Sequence, residues 1–275
     1  NLCIGHNAAD AADHTGVCAI GQFALSSNTA DFNTSVGYES LRYNTTGSNN
    51  TAVGKDALYS NTTASNNTAI GIDAMTDNTT GGSNTALGSN SLKSNTTASD
   101  NTAVGRLALN ANTTGFNQTA VGSGALAANT TSNSNTAVGK DSMNANTTGG
   151  ANTAIGANSL KANTTADYNT ALGESALLVN TTGHSNTAVG AQALDANTTA
   201  NQNTAVGYLS LSANTTGYQG VAVGQGALQS NTTGIVNTAI GAECLDSNTT
   251  GSKNTAVGKG ALSGNTTADN NVAIG

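Results

Sequence analysis

The sequence predicts an all-β chain that winds as a parallel β-solenoid (a β-roll) of 17-residue coils. Two observations predict this fold: one motif recurs at an unvarying short interval, and the residues that dominate it are poor helix formers. A glycine closes the motif N-T-A-[VIL]-G, or a close variant of it, every 17 residues from Gly37 to Gly275. A fixed short period without insertions is the signature of a solenoid, in which each repeat packs on its neighbours.

Each repeat is too short for a pair of helices, because helical repeats run to ~33 residues or more. The consensus N-T-A-V-G-x-x-[AS]-L-x-x-N-T-T-[GA]-x-x is dominated by Asn, Thr and Gly, which disfavour helix interiors. One coil with short strands and tight corners accounts for such a repeat.

The glycine that closes the motif predicts a corner of the coil. Its presence in every repeat indicates either a positive φ or a close approach of neighbouring backbone, since both exclude a side chain. The corner glycines predicted in this way include Gly54, Gly71, Gly88, Gly105, Gly122 and Gly139.

The segment N-T-A-V-G is the strongest candidate for a strand, and alternation assigns its two faces. The Thr position accepts apolar residues, as at Val221 and Val272, and the residue before the glycine is always Val, Ile or Leu. We therefore expect Thr and Val to point into the coil and the Ala between them to point outward. An outward column of small residues predicts a lateral face for assembly, at Ala52, Ala69, Ala86, Ala103, Ala120 and Ala137. On this assignment Ala137→Glu should weaken assembly, and Val138→Asp should damage the fold.

A Leu or Met stands four residues after the glycine in each regular repeat and follows an Ala or Ser in nearly all of them, as at Leu58 and Met75. Adjacent residues of an extended segment face opposite ways. This pair is therefore expected to place one residue in the coil and one on the lateral face.

The triplet N-T-T occupies the third segment, and two interpretations of its asparagine stay open. Each triplet matches the N-glycosylation sequon, but glycans on successive coils, ~4.8 Å apart, would be severely crowded. The alternative is a column of asparagines that hydrogen-bond from coil to coil. This ladder is predicted at Asn44, Asn61, Asn78, Asn95, Asn112, Asn129, Asn146, Asn163 and Asn180.

The residue after N-T-T alternates between Gly and Ala over long runs, as in Gly47, Ala64, Gly81 and Ala98. The sequence supplies no physical account of this alternation. Duplication of a two-repeat unit is one explanation.

The interval shortens at the N-terminus, where Gly5, Gly21 and Gly37 are 16 residues apart. This predicts a cap or joint over residues 1–37 and a regular array over residues 38–275. Cys3, Cys18 and Cys244 are an odd, sparse set that predicts no disulfide framework. They are interpreted as small buried side chains that replace Ala or Thr, with a bond between stacked molecules as the alternative.

Composition excludes several classes of function. The net charge is −7, so the basic surface of a nucleic-acid-binding protein is missing. No stretch approaches the ~18 apolar residues of a membrane span. His6, His14 and His184 occupy different phases of the repeat, and carboxylates such as Asp56 and Asp141 recur irregularly. The sequence therefore predicts no catalytic site, no metal site and no cofactor.

The segments V-A-V-G at 221–224, N-V-A-I-G at 271–275 and V-C-A-I-G at 17–21 resemble the head repeats of trimeric autotransporter adhesins. Related repeats occur in fibre proteins of bacteriophage tails. The resemblance covers essentially the whole chain and implies a left-handed parallel β-roll, trimerisation and a role in surface attachment. The repeat here departs from the family pattern in its greater length, its added N-T-T segment and its preference for Thr over Val.

These observations predict a structural protein without enzymatic activity, which forms a rigid fibre or filament as a shaft or an adhesive surface. Its location is expected to be extracellular, on the cell surface or in a virion. The predicted partner is the chain itself, as a homotrimer or a head-to-tail filament, together with a cell-surface receptor or glycan. Nucleic acid and membrane insertion are not expected.

The alternative is a single-chain β-solenoid that binds ice or another ligand. A flat ice-binding face would need two outward Thr columns two residues apart. The two Thr of N-T-T are expected to face opposite ways, and the Thr of the strand is expected to be buried, which argues against such a face. Exposed aromatic side chains are candidates for ligand contacts, at Tyr38, Phe116, Tyr208 and Tyr218.

Overall fold

The computed structural model describes residues 1–9 and 15–275, and all regular secondary structure in these ranges is β. The chain divides into two compact units, Asn1–Asn135 and Thr136–Gly275. Each unit is a stack of coils, and each coil contributes one three-residue strand.

The strands of the first unit are β1 Leu2–Ile4, β2 Cys18–Ile20, β3 Thr34–Val36, β4 Thr51–Val53, β5 Thr68–Ile70, β6 Thr85–Leu87, β7 Thr102–Val104 and β8 Thr119–Val121. The strands of the second unit are β9 Thr136–Val138, β10 Thr153–Ile155, β11 Thr170–Leu172, β12 Thr187–Val189, β13 Thr204–Val206, β14 Val221–Val223, β15 Thr238–Ile240, β16 Thr255–Val257 and β17 Val272–Ile274.

Within each unit, every strand pairs in parallel with the strand of the next coil at the same position of the repeat. Thr51 pairs with Thr68 in the first unit, and Thr153 pairs with Thr170 in the second. The prediction of an all-β parallel solenoid with 17-residue coils is confirmed.

The shorter coils predicted at the N-terminus are present inside the first unit, where Cys18 pairs with both Leu2 and Thr34. The role of residues 1–37 as a cap or joint stays a prediction.

The middle residue of each strand points into the coil, and the two residues beside it point outward. Ala52 is fully buried, whereas Thr51 and Val53 are half-buried. The predicted lateral face is therefore wrong, because all of its members lie in the core: Ala52, Ala69, Ala86, Ala103, Ala120 and Ala137.

Space inside the coil explains this arrangement. The side chains of Leu58, Asn44 and Asn50 are buried in the same narrow interior. The middle position of the strand therefore has room for only a small side chain in this interior. The larger Val fits only at a position that points outward. The nearly constant Ala reflects a thin core and not the approach of another chain.

The second segment turns instead of extending, and this places both residues of its Ala-Leu pair in the core. Leu58 has a φ of 52°, in the left-handed region that costs an L residue roughly 1–2 kcal/mol. The N–H of Leu58 donates to the carbonyl oxygen of Ala74 in the next coil at 3.0 Å, and both Ala57 and Leu58 are fully buried. The expectation that this pair faces opposite ways is wrong because alternation applies to extended backbone only.

The N-T-T segment also bends. Thr62 is half-buried and Thr63 is exposed, so neither points into the core. The hydroxyl of Thr62 donates to the carbonyl oxygen of Thr79 in the next coil at 3.1 Å. The expectation that the two threonines face opposite ways is therefore wrong as well.

Candidate functional site

Two columns of side chains cover the outer surface of each stack of strands, and we call them the strand face. They are the first and third residues of the strands, such as Thr102 and Val104 in β7 or Thr204 and Val206 in β13. The first column is mostly Thr, and the third position is always Val, Ile or Leu. In the described strands neither column contains a charged residue. The strand face is thus an evenly spaced surface of hydroxyl and aliphatic groups.

The longer aliphatic side chains of the strand face reach furthest into solvent. Leu87 is 45% exposed, Leu172 is 44% exposed and Ile240 is 42% exposed. A sheet with one solvated face normally alternates apolar residues inside with polar residues outside. The aliphatic column breaks this pattern in every coil, which makes the strand face a candidate contact surface.

The predicted asparagine ladder is present in each unit and lies in the core. Asn61 Nδ2 donates to Asn44 Oδ1 at 2.8 Å in the first unit, and Asn163 Nδ2 donates to Asn146 Oδ1 at 2.8 Å in the second. The ladder asparagines of the first unit are Asn44, Asn61, Asn78, Asn95, Asn112 and Asn129, and those predicted in the second are Asn146, Asn163 and Asn180. All are fully buried.

The ladder also decides between the two interpretations of N-T-T. Asn61 Nδ2 makes a second bond, to the carbonyl oxygen of Ala64 at 3.0 Å. The side-chain amide has two N–H donors, and both are engaged inside the core. A glycan on this nitrogen would remove one donor and would have to pass through the packed interior. The folded coil therefore has no room for glycosylation at this position.

A second buried amide column was missed in the sequence. Asn50 and Asn67 stand directly before their strands, and Asn67 N–H donates to Asn50 Oδ1 at 3.0 Å. Asn50 Nδ2 donates to the carbonyl oxygen of Ala64 at 2.8 Å. A signal was available: the repeat that has Gln118 in place of Asn keeps the carboxamide, which accepts from Asn135 N–H at 3.1 Å, although Val17 and Gly220 interrupt the column in two other repeats.

The corner glycines have the positive φ that the sequence predicted, with values from 131° to 139° in the six that were named: Gly54, Gly71, Gly88, Gly105, Gly122 and Gly139. Neighbouring backbone is close as well. A β-carbon on Gly54 would lie 2.4 Å from the carbonyl oxygen of Gly71. Both physical reasons for glycine therefore apply at this corner.

Titratable side chains are dispersed along the coils. In residues 1–9 and 15–275, no three His, Cys, Asp or Glu residues form a group that could hold a metal ion. His6 and His184 are exposed, and His14 lies outside the described residues. Asp56 Oδ2 lies 2.6 Å from Lys55 Nζ, and this hydrogen bond raises the pKa of the Lys55 ammonium. Lys55 is exposed, but the Asp56 side chain is only 18% exposed and its Oδ1 is buried without a hydrogen-bond partner among the described residues, so the pair is a half-buried corner contact.

The three cysteines are free thiols. Cys244 takes the place of the core Ala in its Ala-Leu pair, is fully buried, and contacts the carbonyl oxygen of Ala256 at 3.2 Å. Burial raises the pKa of this thiol. Cys3 holds the middle position of β1 and pairs with Ala19, while Cys18 holds the Thr position of β2. The interpretation as buried replacements for Ala or Thr is confirmed for Cys244, whereas Cys3 and Cys18 hold the Ala and Thr positions but are only half-buried.

The aromatic residues that were singled out, Tyr38, Phe116, Tyr208 and Tyr218, are exposed. Residues 1–9 and 15–275 include no helix of the length and apolarity needed to cross a membrane. A comparison with models of protein families finds no match to this chain. A comparison with curated proteins also finds no significant match.

Proposed function

We propose that this chain is a structural element of an extracellular, cell-surface or virion fibre, and that its copies associate side by side as a homotrimer through the strand face. The observation that carries the proposal is the aliphatic column, which is partly exposed in coil after coil and stands on a face without charge in the described strands. The proposal assigns the chain no catalytic role.

The interior of a coil is complete within one chain. Ala52 and Leu58 are fully buried, and the amides of Asn44 and Asn50 have hydrogen-bond partners. A partner is therefore not needed to finish the core, and it would cover the outer surface instead. This moves the proposed contact from the Ala column to the Thr and aliphatic columns.

A second copy of the chain suits the strand face for two reasons. Identical faces share one rung spacing, ~4.8 Å, so their aliphatic columns can stay in register along a whole unit. Interface cores are also depleted in charged residues, as this face is. Closed rotational symmetry would then bring one strand face from each chain to a common axis.

The length of the array matters for this association. Full burial of a partly exposed Val or Leu adds roughly 1 kcal/mol per coil, whereas association costs ~4–15 kcal/mol. One coil cannot hold a partner, but the eight or nine strands of a unit can do so together. This supports a fibre role, in which a long regular array is required.

The test is the mass of the full chain in solution, by light scattering and sedimentation. One chain has a mass of 26.9 kDa, and we expect the wild type to have three times this mass. The double variant Leu87→Lys and Leu172→Lys should be monomeric with an unchanged circular dichroism spectrum. The matched control is Ile72→Lys, because Ile72 is 55% exposed at the corner position where the preceding coil has Lys55. A wild type that stays monomeric at high concentration would exclude association through the strand face.

Ice binding by a monomer is a second candidate, because the Thr column of the strand face points outward, contrary to the expectation from the sequence. Evenly spaced hydroxyl and methyl groups then lie on one stack of parallel strands. Thermal hysteresis of a monomeric wild type, lost in the double lysine variant, would favour this function over the fibre.

A further inference from the structure

The regular repeat is interrupted by a concentration of aromatic side chains in the first unit. The chain has nine aromatic residues, three Phe and six Tyr, and five of them lie within residues 23–59. Three of these, Phe23, Tyr43 and Tyr59, lie in successive coils, and their side chains are joined by contacts with each other or with Arg42. We call the four residues Phe23, Arg42, Tyr43 and Tyr59 the aromatic strip.

Arg42 is the centre of the aromatic strip. Its guanidinium carbon lies 4.7 Å from the centre of the Phe23 ring and 5.3 Å from that of Tyr43. Its guanidinium also pairs with the carboxylate of Glu39. The strip therefore combines ring surfaces with a fixed pair of hydrogen-bonding groups.

Tyr43 extends the strip into the next coil. Its ring meets that of Tyr59 edge to face, with 4.9 Å between ring centres and an interplanar angle of 85°. The Tyr59 hydroxyl donates to the Tyr43 hydroxyl at 3.3 Å. This hydrogen bond raises the pKa of Tyr59, so the Tyr59 phenol remains protonated at neutral pH.

The fold does not require these side chains. The residues equivalent to Arg42 and Tyr43 are Asn110 and Ala111 in a later coil of the same unit, and that coil forms the same strand and turns. The aromatic strip thus has no necessary part in closing a coil, and its residues are free to serve another purpose.

The cations around the strip are each paired with a carboxylate. Ion pairs join Arg42 to Glu39, Lys55 to Asp56 and Lys93 to Asp73, so three cations face three carboxylates. Tyr43 is 43% exposed, so its ring is accessible to a ligand. Asp77, two coils from Tyr43 at the same position of the repeat, adds a carboxylate that belongs to none of these pairs. A strongly acidic ligand therefore finds no excess of positive charge here.

We infer that the aromatic strip binds a neutral oligosaccharide. A sugar ring offers an apolar C–H face, which packs on aromatic rings, and a rim of hydroxyls, which bond to guanidinium, carboxylate and phenol groups. The strip covers two coil intervals, ~10 Å, the length of a short oligosaccharide. A stable protein partner would bury ~800 Å² on each side, far more than a strip of four side chains provides.

This inference does not rest on association through the strand face, since none of the four residues belongs to a strand. The two proposals can therefore fail separately. A monomeric chain can bind sugar through the strip, and a trimer can lack sugar binding.

The experiment uses the full chain on a broad glycan array, followed by calorimetric titration with maltohexaose, cellohexaose, chitohexaose and mannohexaose. We expect binding to at least one neutral glycan, and the double variant Tyr43→Ala and Tyr59→Ala should weaken it at least tenfold. The control is Tyr168→Ala, which removes a tyrosine that is 69% exposed in the second unit and should leave the affinity unchanged.

Two results would overturn the inference. One is the absence of binding to every neutral glycan by a wild type with the expected circular dichroism spectrum. The other is equal binding by the wild type and the double variant, which would place the sugar elsewhere. Arg42→Lys is a further check, and it should also weaken binding. This substitution keeps the positive charge but removes the planar guanidinium that pairs with Glu39 and contacts two rings.

Discussion

A β-carbon added to Gly47 would lie 2.1 Å from the carbonyl oxygen of Ala64 in the next coil. The same relationship recurs between Gly81 and Ala98, also at 2.1 Å. Side-chain carbons do not approach backbone oxygen this closely. A coil with Gly after N-T-T therefore sits against the next coil at a distance that alanine does not permit.

Hydrogen-bond lengths follow this alternation. The N–H of Thr45, in a coil with Gly, donates to the Thr62 carbonyl at 2.8 Å, whereas that of Thr62, in a coil with Ala, donates to the Thr79 carbonyl at 3.1 Å. The equivalent hydrogen bonds of the next two coils, donated by the N–H groups of Thr79 and Thr96, repeat the pattern at 2.9 and 3.1 Å. A coil with Gly after N-T-T thus makes a shorter backbone hydrogen bond to the next coil at this corner than a coil with Ala does.

Gly81→Ala should destabilise the fold by about 1–3 kcal/mol, the usual cost of forcing a methyl group into a packed site. The measurement is urea unfolding followed by circular dichroism. Gly264→Ala is the control, since nothing lies within 4 Å of a β-carbon there. An equal, small effect of both substitutions would contradict the tight contact.

Asn112→Ala should cost about 2–4 kcal/mol, because it removes three buried hydrogen bonds of this side chain, one accepted from Asn129 Nδ2 and two donated to Asn95 Oδ1 and the Gly115 carbonyl. Thr114→Ala, in the same N-T-T segment, removes an exposed side chain and should change the stability by less than ~0.5 kcal/mol. Unfolding curves of the two variants give the comparison. Similar values for both would show that the ladder adds little to stability.

Ala137→Glu should disrupt the fold, because the carboxylate would enter a core without a partner. Val138→Glu, one residue further along β9, places its charge on the strand face and should retain the β spectrum. Circular dichroism separates the two, and light scattering of Val138→Glu should show reduced association. The reverse order of effects would restore the outward Ala column that the structure rejects.

Cys244 should react much more slowly with a thiol reagent than Cys3 and Cys18 in the native protein. Its side chain is buried and its pKa is raised, so little thiolate forms at mildly alkaline pH. The folded state holds this proton more tightly than the unfolded state. Its contribution to stability is therefore present below the unfolded thiol pKa, ~8.5, and declines as the pH rises through the higher folded value.

A time course with a chromogenic thiol reagent checks this prediction. Two thiols should react quickly and the third only on addition of urea. Cys244→Ala should abolish the slow phase alone, and three equally fast thiols would contradict the buried position of Cys244.

The coil length, the parallel stacking, the corner glycines and the first asparagine ladder could be predicted from the sequence. Each depends on periodicity, because stacking brings equivalent residues into contact whatever the shape of the coil. Asn44 and Asn61 must be neighbours in any solenoid with this repeat. The second amide column at Asn50 and Asn67 could have been predicted by the same reasoning.

The direction of each side chain could not be predicted in this way, because it depends on the backbone within a coil. Alternation of faces holds for extended residues, but the left-handed φ of Leu58 turns the chain between one residue and the next. The tertiary structure therefore placed Ala52 inside and Val53 outside, according to the space left by Leu58 and two asparagines. The same packing left the aliphatic column at the surface, where the periodic sequence alone had predicted a core.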